Sequence, residues 1–162
     1  MEKERLLFSI QRFDGYYNSV NNKCAVFLAL STFIVGGLVA AYPLVLKHVT
    51  CQWYMHVLMA ALIAIGVAIM IIVIRASTPY LDSHKASLLY FGTLAGMKVT
   101  DFRKRSADRG LDDEMTDLRT QAHDLAVGLL MKFKRLRWAG WLFTAQFIIA
   151  IPLLIILIFN LK

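Results

Sequence analysis

The chain has 162 residues, enough for one domain rather than two. Its hydrophobic fraction is 58% and its mean hydropathy +0.57, well above ordinary soluble domains, and with only three prolines and no repeat or biased stretch there is no linker. A formal charge of +7 admits nucleic acid, a membrane surface or anionic ligands as partners, and the placement of the charges chooses among them.

In chain order, the opening segment MEKERLLFSIQRFDGYYNSVNNK is polar for too long to be a secretory signal. Leu6, Ile10, Phe13, Tyr17 and Val20 recur in it at steps of four and three, which predicts a helix with one apolar stripe. Gly15 weakens that helix by about 1 kcal/mol relative to alanine. The first apolar run, 25–46, is interrupted only by Pro43; the second, 54–74, carries one ionisable group, His56; the third, 138–159, contains Pro152 and no charge. Each has the ~20 residues that cross a hydrocarbon core of about 30 Å. A soluble bundle of this size has too little surface to wrap three helices that are apolar all round. The fold class is therefore an all-α membrane protein with three transmembrane helices and a helical stalk, built as a single domain over 1–162: an N-terminal helix over 1–23, the three spans, and a helical region over 75–137 between spans two and three.

Lysine and arginine give the orientation. Lys3, Arg5, Arg12 and Lys23 precede the first span, and twelve more lie between the second and third, whereas the hairpin between the first two spans carries only Lys47 and the chain end only Lys162. The positive-inside rule puts the N-terminus and the long connection in the cytoplasm and the C-terminus outside. Trp53, Tyr54, Trp138 and Trp141 stand at span ends, where amphipathic rings favour the headgroup layer. Gly36, Gly37 and Gly66 are expected to allow close helix approach, and Gly36 with Ala40 makes a small-xxx-small pattern.

Between the spans, Ser77-Thr78-Pro79 ends span two, Gly92 and Gly96 suggest turns or close backbone approach, and Thr100-Asp101 is expected to cap a short helix ending before Gly110. Met115, Leu118, Ala122, Leu125, Leu129, Phe133 and Leu136 form a second stripe, over 113–137. Asp112, Asp113 and Glu114 lie at its start and Lys132 to Arg137 at its end, as the helix dipole favours. No proline separates this stalk from span three, so one helix is predicted from about 113 to 159, with its stripe against that of the N-terminal helix.

Catalytic signatures are missing: there is no phosphate-cradling glycine loop, GxSxG, HExxH or CxxC, so the chain reads as no enzyme. His48, Cys51 and His56 are too loosely spaced to read as a metal site. No carboxylate lies within a span, against a proton or ion relay. Cys24 and Cys51 flank a helix that separates them by roughly 33 Å, far beyond the ~7 Å a disulfide spans.

Several segments together resemble the small transmembrane effectors of Pycsar and related bacterial anti-phage systems. They are Asn22-Lys23-Cys24-Ala25 at the mouth of span one, Leu88-Leu89-Tyr90-Phe91-Gly92, Asp101-Phe102, Gln121 and His123, and Lys132-Phe133-Lys134-Arg135-Leu136-Arg137 leading into the last span. The likeness covers nearly the whole chain, and the LLYFG segment with the basic stalk is its most specific part. Where members commonly show Asp-x-Lys-Ala, this chain reads Asn21-Asn22-Lys23-Cys24-Ala25.

The resemblance implies an effector in the bacterial inner membrane, a homo-oligomer that answers a cyclic nucleotide from a partner cyclase by impairing the bilayer. It implies no cofactor and no nucleic acid polymer as partner. A cyclic mononucleotide offers one phosphate and one stackable base. That chemistry makes Lys98, Arg103, Arg105 and Arg119 the candidates for the phosphate and Tyr90 and Phe91 for the base. The competing reading is a constitutive membrane anchor for a soluble partner.

Overall fold

The computed structural model describes residues 1–48, 53–79 and 87–160. Five helices follow in order: α1 (Glu2–His48), α2 (Trp53–Ser77), α3 (Phe91–Ala95), α4 (Val99–Ala107) and α5 (Leu111–Asn160), with no strand among the described residues. The three apolar runs fall inside α1, α2 and α5, each long and apolar enough to cross a membrane. Cys51 and Lys85 lie outside the described residues, as do the side chains of Lys47 and His48. Two compact units divide the chain, one of Met1–Ser19 with Pro79–Met131 and one of Val20–Thr78 with Lys132–Lys162. Helices α1 and α5 contribute to both.

In the first unit, Leu6, Ile10, Phe13 and Tyr17 are the sheltered side of α1, as their spacing predicts, and Leu118 and Leu129 are buried on α5. Tyr17 Oη donates to the Leu125 carbonyl at 2.9 Å. Nearer the N-terminus, Lys3 pairs with Glu114 at 2.8 Å and Arg119 grips Glu2. The order of these contacts makes these α1 and α5 segments parallel.

In the second unit, α2 packs on the other two long helices. Val45, Met55, Met59, Leu62 and Leu153 form one buried cluster, and Phe27 stacks on Phe143 with ring centroids 5.5 Å apart. Gly66 is where the helices come closest: an added Cβ there would run into the Val35 side chain and lie 2.9 Å from Gln146 Nε2. Gly36 and Gly37 differ from expectation, since an added Cβ at either would meet nothing within 4 Å, so their bare backbone faces outward from this chain. His56 Nδ1 hydrogen-bonds the Tyr42 hydroxyl at 2.7 Å. Trp53, Trp138 and Trp141, the only tryptophans, are all exposed.

The apolar stripe of α5 departs from its spacing at one place. Phe133, expected inward, is exposed, and Lys132 is buried instead. The cause is the end of α2. The last carbonyls of a helix have no partner within it, and an unsatisfied carbonyl at the edge of a hydrocarbon layer is costly. Lys132 Nζ donates to the carbonyls of Ala76 at 2.7 Å, Ser77 at 3.2 Å and Thr78 at 2.9 Å, and Arg135 Nη1 donates to Arg75 O at 2.6 Å. A cation is also what the negative end of the helix dipole favours. The basic cluster of α5 thus terminates a neighbouring helix in addition to suiting its own position.

Lys132→Met will remove the donor shared by three carbonyls. It is expected to lower stability by about 2 kcal/mol or more, read as unfolding of the detergent-solubilised protein; the exposed Lys134→Met will stay within about 0.5 kcal/mol of the parent. Gly66→Leu will disrupt the packing of α1 on α2, while Gly36→Ala leaves thermal unfolding unchanged or raises it slightly, because alanine is the better helix former by about 1 kcal/mol.

Candidate functional site

Within the first unit, α4, the start of α5 and residues 87–88 enclose an open cavity of about 600 Å³, inside the ~300–1,000 Å³ range of small-ligand sites. Its lining includes Lys104, Arg105, Asp108, Arg109, Asp113 and Asp117, with Thr116, Thr120, Ser87 and Leu88 completing it. On α5, Asp113, Thr116, Asp117 and Thr120 follow at i, i+3, i+4 and i+7. This gives the helix a polar stripe beside the apolar one that carries Leu118.

Asp117 organises the wall. Its carboxylate, buried, accepts from the Leu88 backbone N–H at 3.0 Å and from Arg109 Nη2 at 2.5 Å, so one acidic residue holds both the bend at 88–89 and the connection between α4 and α5. Ser87 Oγ accepts from the Leu89 N–H at 3.1 Å, closing the turn that leads into α3. The short helix α4 begins at its cap Lys98 rather than at Thr100-Asp101. No side chain bonds its N-terminus, and Asp101 lies in its first turn, where the helix dipole favours a carboxylate. The Asp108 N–H donates to Lys104 O and ends α4, and the Glu114 N–H donates to Gly110 O, opening α5. Lys104 and Arg105, in the last turn of α4, make no ion pair or side-chain hydrogen bond with other described residues, and neither do the carboxylates of Asp108 and Asp113. The cavity therefore offers two uncommitted cations and two uncommitted carboxylates around one satisfied Arg109–Asp117 pair.

Of the residues expected from sequence to contact a ligand, Arg105 alone lines the cavity. Lys98 and Arg103 are exposed on α4 outside the lining. Tyr90 and Phe91 do come together, ring centroids 4.9 Å apart. Tyr90 lies across Gly92, where an added Cβ would meet its ring at 2.5 Å, which explains the glycine as a close approach rather than a turn. Phe91 is exposed. Arg119 donates twice to Glu2, from Nε and Nη2, at 2.9 Å each. That bond holds the Glu2 carboxyl below the usual carboxylate range. The contribution of this exposed pair is present at neutral pH and is lost as pH falls through that range.

The Pycsar effector protein domain family, PycTM, matches residues 5–159, which takes in α1 to α5 almost whole. The chain belongs to this family. Comparison with curated proteins and with solved structures returns no match. Membership makes this Pycsar effector a membrane protein of anti-phage defence.

Asp117→Ala will break the hold on residues 87–90 and on Arg109. The Pycsar effector carrying it is expected to open the 98–109 segment more readily, with limited trypsin cleavage there about tenfold faster or more, the equivalent of roughly 1.4 kcal/mol. Asp113→Ala, whose carboxylate holds nothing in place, will cleave at the parent rate.

Proposed function

We propose that this Pycsar effector binds a cyclic nucleotide in the cavity of α4 and α5 and answers by impairing the bacterial inner membrane. The observation that carries the reading is the uncommitted Lys104 and Arg105 beside the uncommitted Asp108 and Asp113. Two cations suit a single phosphate through charge-assisted hydrogen bonds. Carboxylates and threonine hydroxyls suit the ribose hydroxyl and the donor edge of a base. A bare anion would gain nothing from the acids, whereas a nucleotide uses both signs. The chain acts by binding and is not an enzyme.

The lining residues Asp113, Thr116, Asp117 and Thr120 belong to the same helix that continues through 138–159. A ligand that favours one setting of α5 therefore acts on a membrane-spanning helix without an intervening loop. It must bind the disrupting state better than the resting one, or nothing shifts. The lysine and arginine asymmetry supports an N-terminus and a cavity in the cytoplasm, where a cyclase product is made, and a C-terminus outside. The outward-facing Gly36 and Gly37 support assembly of several copies through α1.

The test is membrane potential and growth of bacteria carrying the effector with an inducible nucleotide cyclase. Depolarisation on cyclase induction is expected with the parent. Lys104→Glu with Arg105→Glu will weaken nucleotide binding about 10- to 100-fold, read by calorimetry, and abolish depolarisation. An unchanged potential at saturating nucleotide overturns the reading in favour of a passive anchor. Loss of the response in Arg103→Glu alone would move the phosphate to another face of α4.

A further inference from the structure

The membrane-spanning parts of the chain carry few polar side chains, and most are satisfied locally. Thr32 donates to Leu28 O at 2.8 Å and Thr144 to Gly140 O at 3.0 Å, each within its own helix. Two groups differ. Ser31 Oγ and Gln146 Oε1 are fully enclosed and have no hydrogen-bond partner among the described residues. Gln146 spends only its other half, Nε2 donating to Leu62 O at 3.1 Å.

The two sit in one region of the bundle. Leu62 and Gly66 are one turn apart on α2, and the Gln146 amide lies against Gly66. The other neighbour of Gly66 is Val35, one turn from Ser31 on α1. Glycine at 66 is what lets the donor end of the Gln146 amide lie between α2 and Val35 of α1. A buried hydroxyl and a buried amide oxygen without partners cost free energy in hydrocarbon, and replacing either by an apolar group of similar shape removes that cost. At 0% and 1% exposure, neither residue is within reach of lipid headgroups or a second copy. Water is the partner small enough to enter and able both to donate to Oε1 and to accept from the hydroxyl.

We propose that Ser31 and Gln146 form a water site inside the membrane unit, and that this site is where an aqueous path opens when the effector acts. The second half rests on the reading that the effector impairs the membrane. The bundle then carries, in its resting packing, the polar groups that become more favourable as the helices separate and water enters. Gly66 keeps the closed state narrow, and Gln146 makes the open state wettable.

Two measurements separate the halves. In bilayers without nucleotide, water-edited solid-state NMR of the parent is expected to show transfer from water to the Gln146 side-chain amide, and Gln146→Leu, if it folds to the same helical content, will lose it. No transfer in the parent overturns the water site whatever the effector does. In cells with an induced cyclase, Ser31→Cys in a Cys24→Ala, Cys51→Ala background will react with a charged methanethiosulfonate about tenfold faster than in resting cells or more. Ser31→Ala and Gln146→Leu will require more cyclase for the same depolarisation. Depolarisation with no change in labelling, and with Gln146→Leu as active as the parent, overturns the aqueous path and leaves the proposed function standing. Failure of every variant and the parent to depolarise defeats the proposed function, and the NMR result still decides the water site.

Discussion

The end of a helix at the edge of a hydrocarbon layer must find donors for its last carbonyls, and much of this molecule is arranged around that requirement at the end of α2. Lys132 meets it by burying an ammonium under Ala76, Ser77 and Thr78. The cost is local: α5 turns Phe133 outward to bring a lysine inward. In return α5 is tied to a second helix nearly two turns before its own apolar run begins. Arg135 adds a bond to the carbonyl one residue earlier on α2.

The upper half of α5 shows a second economy of design. One face presents Leu118 and Leu129 to helix packing, and the adjacent face presents Asp113, Thr116, Asp117 and Thr120 to the cavity. The two faces belong to one continuous helix, so the cavity wall and the surface that packs on α1 are neighbours on the same turns. Asp117 lies at the seam, its carboxylate turned from the apolar stripe onto Arg109 and the backbone of Leu88. The lining is thus built partly from a helix whose later residues form an apolar run long enough to cross a membrane.

Length and periodicity gave the three spans, the continuity of α5 and the α1 stripe, because both signals are properties of consecutive residues. Leu6, Ile10, Phe13 and Tyr17 are sheltered where their steps of four and three put them. What depended on long-range partners was hidden. Lys132 reads as a dipole complement until the end of α2 is beside it. Arg119 reads as a free cation until Glu2, 117 positions away, is found in its fork. Tyr90 reads as a stacking platform, and that its ring lies across Gly92 emerges only from the fold. The polar spacing of Asp113, Thr116, Asp117 and Thr120 was available to inspection, masked by the apolar repeat running alongside it, and Gln146 was passed over because it carries no charge.

The placement of the indoles has a practical corollary. All three tryptophans stand exposed at the ends of the apolar runs and none is in the packed interior. The native fluorescence of this protein consequently samples the boundary between lipid and water. Its emission maximum and its quenching by brominated lipids form a built-in depth gauge, sensitive to rods that tilt or slide and blind to side chains that merely repack between them.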